Sequence, residues 1–184
     1  MEVKEAKSDV EWTVEKLKAL KVPEIMELFL TLTAPLFKEM NGEFEGSLLD
    51  HGNALSNFFS RTFTSSLLIN GRWLCKGFTP VSETEGHGYN SFMKFGKVIR
   101  KYRMKTCMAA SRFDGKEVFQ LYYPAYKNLI GKINSVDEIR KVRDGLYLAV
   151  GTIGFTEKQR MRPYPFVLSG PVGEFVGSDS EELL

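Results

Sequence analysis

Short turn dipeptides divide the second half of the chain into strand-length pieces, and this feature constrains the fold more than any other. Asn70-Gly71 and Asp144-Gly145 are favoured in two-residue hairpin turns, Asp114-Gly115 is a third such signal, and Gly96 indicates a fourth turn. The runs between these turns predict strands at about 72–79, 89–95, 97–112, 116–123, 132–142, 146–154 and 165–169. An antiparallel meander of this many strands must cover its edges, and closure into a barrel does so most completely.

The aromatic content supports the same fold class. The 184 residues include 14 Phe and 7 Tyr, and aromatic side chains suit pleated, half-buried surfaces around an apolar interior. We therefore predict a mainly β, β-rich α+β protein built as an antiparallel β-barrel. The length is typical of one domain. We expect a single domain over 1–184, with a helical segment at 8–40 and the barrel at 42–176.

The N-terminal region has helical rather than strand patterns. Ser8 and Glu11 form a capping-box pattern before apolar residues at helical spacing, which predicts a helix at about 8–20. Pro23 suits the first turn of a second helix that continues to about Leu32. Gly42-Glu43-Phe44-Glu45-Gly46 indicates a short strand, and residues 53–66 fit either a helix or an extended run.

Charge and composition exclude several classes of function. The net charge is only +2 and the basic residues are spread along the chain, so no nucleic-acid-binding face is expected. No run approaches the roughly 18 apolar residues of a membrane span, and no apolar signal segment stands at the N-terminus. Cys75 and Cys107 lack metal-site spacing, so no metal and no cofactor are predicted. These features favour a cytoplasmic protein, and a homodimer is left open.

Several short motifs resemble one protein family. Gly42-Glu43-Phe44-Glu45-Gly46 is similar to the Gly-x-Trp-x-Gly signature of GXWXG/DUF4334-type proteins, with Phe44 in place of Trp, and His51 follows it as the family's His does. Further similar pieces are Trp73-x-x-Lys76-x-Phe78 and the run Asp137-Glu138-Ile139-Arg140-Lys141-Val142 before Gly151. The resemblance implies a calycin-like, or lipocalin-like, β-barrel, and it implies little about chemistry.

The two histidines are candidate catalytic residues. His51 and His87 each lie beside glycine, which would leave the ring accessible, and histidine can donate or accept a proton near neutral pH. Both also fit exposed loop positions. Glu43 and Glu45 would share one face of a strand whose Phe44 enters the core, so an acid–base role for the carboxylate pair is open beside a solvated one.

A ligand pocket is predicted along the segment 98–112. Alternation places six residues on one face: Arg100, Tyr102, Met104, Thr106, Met108 and Ala110. A mostly apolar face with a few polar groups suits a small-molecule cavity. Our candidate substrate-binding residues are Trp73, Tyr89, Arg100, Tyr102, Met104, Met108 and Tyr122.

Two functions fit such a cavity. One is a cofactor-free isomerase or cyclase of secondary metabolism, which would orient a small hydrophobic substrate and move a proton. The other is a non-catalytic carrier or sensor of lipid-like ligands, and the sequence alone leaves both open. A structural protein that docks through its N-terminal helices is a third interpretation, which a large apolar patch on those helices would favour.

Overall fold

A computed structural model describes residues 11–52 and 70–179. Within these residues eight antiparallel strands pair in chain order and close, because the first strand also pairs with the last. The predicted mainly β fold and antiparallel barrel are thereby confirmed. The strands are β1 (Gly42–Leu48), β2 (Arg72–Pro80), β3 (Glu85–Lys94), β4 (Lys97–Ala110), β5 (Glu117–Tyr122), β6 (Val136–Arg143), β7 (Leu146–Thr152) and β8 (Tyr164–Gly173).

Three of the four predicted turns lie between neighbouring strands, and the fourth, Asn70-Gly71, directly precedes β2. Phe95 and Gly96 both have positive φ, of 50° and 77°, between β3 and β4, as a two-residue turn of the mirror-image type requires. Gly145 has φ of 70° between β6 and β7. Positive φ costs glycine little because it has no Cβ. The ambiguous run 53–66 lies outside the described residues.

Alternation along the strands fills the barrel interior. Phe44, Phe78, Phe119 and Phe166 belong to one buried core cluster that draws side chains from strands all around the barrel. Neighbouring residues in each strand point to opposite faces of the sheet. Phe44 therefore enters the core, as the sequence predicts.

Two helices cover part of the outer surface: α1 (Val14–Ala19) and α2 (Val22–Thr31). The N-terminus of α1 is capped by Thr13, whose hydroxyl accepts a hydrogen bond from the Lys16 amide. Residues 11–13 are not helical, so α1 begins at Val14 and not near residue 8 as predicted. Ser8 lies outside the described residues. The apolar faces of both helices belong to a second buried cluster, together with residues of β5, β7 and β8: Leu17, Ile25, Phe29, Val118, Leu148, Val150 and Val167.

Short helical turns occupy the connections. One 3₁₀ turn (Phe37–Glu39) precedes β1, and another (Tyr123–Ala125) follows β5 and leads into α3 (Leu129–Lys132). α4 (Glu157–Arg160) lies between β7 and β8. Asn128 caps α3 by accepting a hydrogen bond from the Gly131 amide, so β6 begins at Val136 rather than near 132 as predicted.

A bulge in β4 changes which residues face the interior. Gly88 pairs with Met104, whereas Asn90 pairs with Lys101, so β4 contains one extra residue at this point. Tyr102, inside the bulge, has a φ of 58°. An extra residue reverses the alternation beyond it. In the part of β4 before the bulge, a residue that simple alternation places on the inner face therefore lies on the outer face, and the reverse.

The segment after β8 returns across the outside of the barrel. The Phe175 ring packs on Tyr89 at 5.0 Å between centroids. The Asp179 amide donates a hydrogen bond to the Arg100 carbonyl at 2.8 Å, and the Arg100 amide donates one to Asp179 Oδ2 at 2.7 Å. No helix among the described residues is long and apolar enough to cross a lipid bilayer.

Candidate functional site

A polar network lies within the largely apolar barrel interior. Lys76 Nζ lies 3.0 Å from Asp137 Oδ2, 2.9 Å from Asn90 Oδ1 and 2.5 Å from Tyr123 Oη. Asn90 Nδ2 donates to Tyr123 Oη at 3.0 Å, and Tyr123 Oη donates to Asp137 Oδ2 at 3.3 Å. We call these four residues the Lys76 network.

Strand pairing explains why these side chains meet. Lys76 is the cross-strand partner of Phe44 on one side and of Asn90 on the other, and cross-strand partners share a face. Asp137 is the partner of Leu121, which belongs to the interior cluster. The Lys76 network therefore spans the interior from β2 and β3 to β6.

Aromatic rings enclose the Lys76 ammonium. Its Nζ is 5.5 Å from the Trp73 ring centroid, 5.2 Å from that of Tyr123 and 5.0 Å from that of Phe166. Rings at this distance attract a cation through their negative faces. Trp73 also packs edge-on against Phe166 and donates from Nε1 to the Cys75 carbonyl.

Burial controls the protonation of the network. Lys76 is only 5 % exposed, and this loss of hydration lowers the pKa of its ammonium although Asp137 acts in the opposite direction. Burial raises the pKa of the Tyr123 phenol well above 10, and the charge of Asp137 adds to the effect. With Lys76 and Asp137 both charged, the network has no net charge.

Four of the predicted substrate-binding residues lie in or against the interior core cluster, and one of them is Trp73, described above. Tyr102 and Met104 are buried members of it, and Met108 packs against it. The Tyr102 carbonyl accepts from Asn90 Nδ2 at 3.5 Å, which joins it to the Lys76 network. Tyr122 does not share this environment: its side chain is 40 % exposed, and the next residue, Tyr123, faces inward.

Arg100 and Tyr89 come together on the outer face. Arg100 Nε and Tyr89 Oη both donate to Glu43 Oε1, at 3.0 and 2.7 Å. Glu43 adjoins the inward-facing Phe44, so its side chain points outward. The β4 bulge is the reason that Arg100 lies here and that Lys101 instead pairs with Asn90.

The two histidines lie apart from each other. His51 is buried, and its Nε2 is 3.0 Å from the Pro165 carbonyl beside the start of β8. His87 alternates with the inward-facing Gly88 and lies on the outer face, where its Nδ1 is 2.9 Å from Tyr126 Oη. Burial lowers the pKa of His87, and the charges of Arg103 and Lys105 act in the same direction.

The sequence pattern did contain a signal for the Lys76 network. Lys76 stands two residues before Phe78 in a predicted strand, so a core position for Phe78 places Lys76 on the same face. Because lysine is rarely buried, the residue type argues against an interior position even though the strand pattern indicates one. Among the described residues no group of three or more His, Cys, Asp or Glu side chains is arranged to hold a metal ion.

Comparisons with known proteins support the fold. A crystal structure of a protein from Thermomonospora curvata matches with a TM-score of 0.54, covering 80 % of this chain and 86 % of that chain at 17 % sequence identity. At this identity the likeness shows the barrel fold alone. No protein-family model matches the chain, and no curated protein matches it in sequence. The resemblance to GXWXG/DUF4334-type proteins is therefore not confirmed.

Proposed function

We propose that the barrel binds a small, largely apolar molecule in its interior and presents the Lys76 network to an oxygen atom of that molecule. The observation that carries the proposal is the position of Lys76 Nζ, which is buried among three aromatic rings and three polar partners. Apolar walls with a few convergent polar groups are typical of ligand sites.

The charge balance within the Lys76 network favours a neutral ligand group beside it. Lys76 and Asp137 already neutralise one another, so a carboxylate beside them would be a third buried charge. A carbonyl or hydroxyl group can instead join the hydrogen bonds at lower cost. We therefore expect an aldehyde, ketone or alcohol with an apolar body.

The network also provides the groups for proton transfer. Tyr123 Oη and Lys76 Nζ can donate hydrogen bonds to a carbonyl oxygen and stabilise charge that develops on it. Asp137 can accept a proton from the ligand or from Tyr123, whose Oη lies 3.3 Å from Oδ2. A cofactor-free isomerase or cyclase needs these two actions and a fixed substrate conformation. In this proposal the proton carriers are Tyr123 and Asp137 rather than His51 or His87.

A second candidate function is a carrier of apolar molecules. It is favoured by the three protein partners of Lys76, since each proton of the ammonium already has an acceptor. A network whose hydrogen bonds are all made within the protein can line the site without reacting with the ligand. The same site would then bind its ligand without converting it.

The test begins with the purified protein in native mass spectrometry, where a retained small molecule supports both functions. Nile red, a neutral apolar fluorophore, serves as the probe in a titration. We expect saturable binding whose emission shifts in Lys76→Met, because the polar group beside the probe is removed. Lys105→Met is the matched control, since Lys105 pairs with Glu85 at the surface.

Two results would overturn the proposal. One is a protein with neither a retained molecule nor saturable Nile red binding. The other is a Nile red emission that responds equally to Lys76→Met and Lys105→Met, because binding would then be independent of the barrel interior.

A further inference from the structure

The Lys76 Nζ atom combines an aromatic enclosure with two proton-transfer groups. The rings of Trp73, Tyr123 and Phe166 surround it at 5.0–5.5 Å. A phenol oxygen lies 2.5 Å away and a carboxylate oxygen 3.0 Å away. A primary amine in such surroundings has the groups that carbonyl addition requires, since the phenol and the carboxylate can move the protons of each step.

We propose that Lys76 is a covalent attachment site, where its Nζ forms an imine with an apolar aldehyde held in the barrel. This inference rests on the proposed function, because the aldehyde must first enter the interior. It adds a defined substrate class and a reaction to the binding site.

The reaction balances without any further reactant. The Lys76 ammonium first gives a proton to Asp137, and the freed electron pair on Nζ forms a bond to the carbonyl carbon. The carbonyl oxygen takes up a proton from Tyr123, which Asp137 can restore through the 3.3 Å contact. A second proton from Nζ then reaches this oxygen, the carbon–oxygen bond breaks and water leaves. An ammonium and an aldehyde have become an iminium ion and water.

The surroundings match the product as well as they match the free lysine. The iminium ion has the same single positive charge as the ammonium, so Asp137 remains its counterion and the aromatic rings remain favourable neighbours. Burial also lowers the pKa of Lys76, which favours the nucleophilic neutral amine. The pKa of Lys105, by contrast, is raised by its hydrogen bond to Glu85.

The experiment uses cinnamaldehyde as the probe. The full-length protein is incubated with a small excess of it and treated with cyanoborohydride, which reduces an iminium ion to a stable secondary amine. A chymotryptic digest analysed by mass spectrometry then locates the adduct. We expect near-stoichiometric modification at Lys76, at least tenfold above any other lysine. Lys76→Arg keeps the charge but cannot form the imine, and Lys105→Arg is the matched control that should retain the adduct.

A Nile red titration of each protein before cinnamaldehyde is added separates the two proposals. Saturable binding of Nile red with no adduct at Lys76, or with adducts spread evenly over surface lysines, overturns the imine site and leaves the binding proposal intact. Absence of Nile red binding overturns the binding proposal and the imine site with it. An adduct at Lys76 that survives in Lys105→Arg and disappears in Lys76→Arg supports both.

Discussion

Lys76 of β2 and Asp137 of β6 form an ion pair of 3.0 Å although their strands are as far apart as the closed order of eight allows. Side chains from opposite walls can meet only across the interior, so this pair joins the two halves of the barrel. Taking both charges out of water is costly, and the hydrogen bonds of Asn90 and Tyr123 to the pair offset part of that cost. Its place among aromatic rings makes it the chemically most distinctive point of the interior.

Removing the lysine alone should strongly destabilise the protein. In Lys76→Met the Asp137 carboxylate would stay buried without its cation, which typically costs about 3–5 kcal/mol. The measurement is the free energy of unfolding in urea at neutral pH. The double variant Lys76→Met with Asp137→Leu removes both charges and should recover much of the loss. Equal stabilities of Lys76→Met and the unchanged protein would contradict the buried ion pair.

Gly46 should not tolerate a side chain. A Cβ atom at this position would overlap the Trp73 ring, and such overpacking typically costs about 1–3 kcal/mol. We expect Gly46→Ala to lower the free energy of unfolding and to change the Trp73 emission spectrum. Gly173→Ala is the matched control, since a Cβ there would meet nothing within 4 Å. If both variants behave alike, Gly46 does not pack closely against the Trp73 ring.

Stability should fall in mildly acidic solution partly through His87. Burial lowers the pKa of His87 in the folded protein, whereas the unfolded chain binds the proton near the ordinary pKa of 6.5. As the pH falls through 6.5, the unfolded state therefore takes up more protons and is stabilised relative to the folded state. The unfolding free energy should decrease more between pH 7 and pH 5 than in His87→Gln. Parallel pH curves for the two proteins would refute this.

Stability should also fall in alkaline solution, partly through Tyr89. Burial and the hydrogen bond to Glu43 raise the pKa of Tyr89 from 10.0 to about 12. Between these two values the unfolded chain loses the phenol proton and the folded protein keeps it, so stability is lost as the pH rises. Tyr89→Phe lacks this titration and should show a shallower decline from pH 10 upward. A decline of the same slope would indicate an unshifted phenol.

The turns and strands were largely predictable because they depend on local chemistry. Asp114-Gly115, Asp144-Gly145 and Gly96 indicate turns without reference to distant residues, and these turns join β4 to β5, β6 to β7 and β3 to β4. Consecutive strands joined by short turns are then neighbours, and the strands on either side of the longer connections keep the same chain order in the barrel. Closure of the barrel was inferred from the need to cover sheet edges, and the pairing of β1 with β8 satisfies that need.

The interior face of β4 was only half predictable. Alternation correctly groups Tyr102, Met104 and Met108 with the interior, but it fails at Arg100 because of the extra residue at Tyr102. No residue in that run indicates a bulge, since Tyr102 has a left-handed φ that glycine or asparagine would normally adopt. A single inserted residue thus moved Arg100 from the predicted pocket to the Glu43 cluster outside.

The candidate site depended on contacts between distant parts of the sequence. Lys76, Asn90, Tyr123 and Asp137 belong to different segments, and only the closed barrel brings them together. The sequence favours histidine as a proton carrier because its ordinary pKa lies near neutral pH. A buried lysine acquires its distinctive chemistry only from its surroundings, which the sequence does not display.

The unequal lengths of β4 and β5 have a consequence for the solution behaviour of the protein. β5 pairs with β4 only from Lys105 onward, so backbone groups nearer Lys97 lie on a short stretch of open sheet edge. Asn128 covers one of them at the Arg103 carbonyl, and Asp179 covers two at Arg100. Exposed edges recruit strands from other molecules. The segment after β8 thus occupies backbone groups with which another molecule could otherwise pair, and we expect an affinity tag that displaces this segment to promote aggregation.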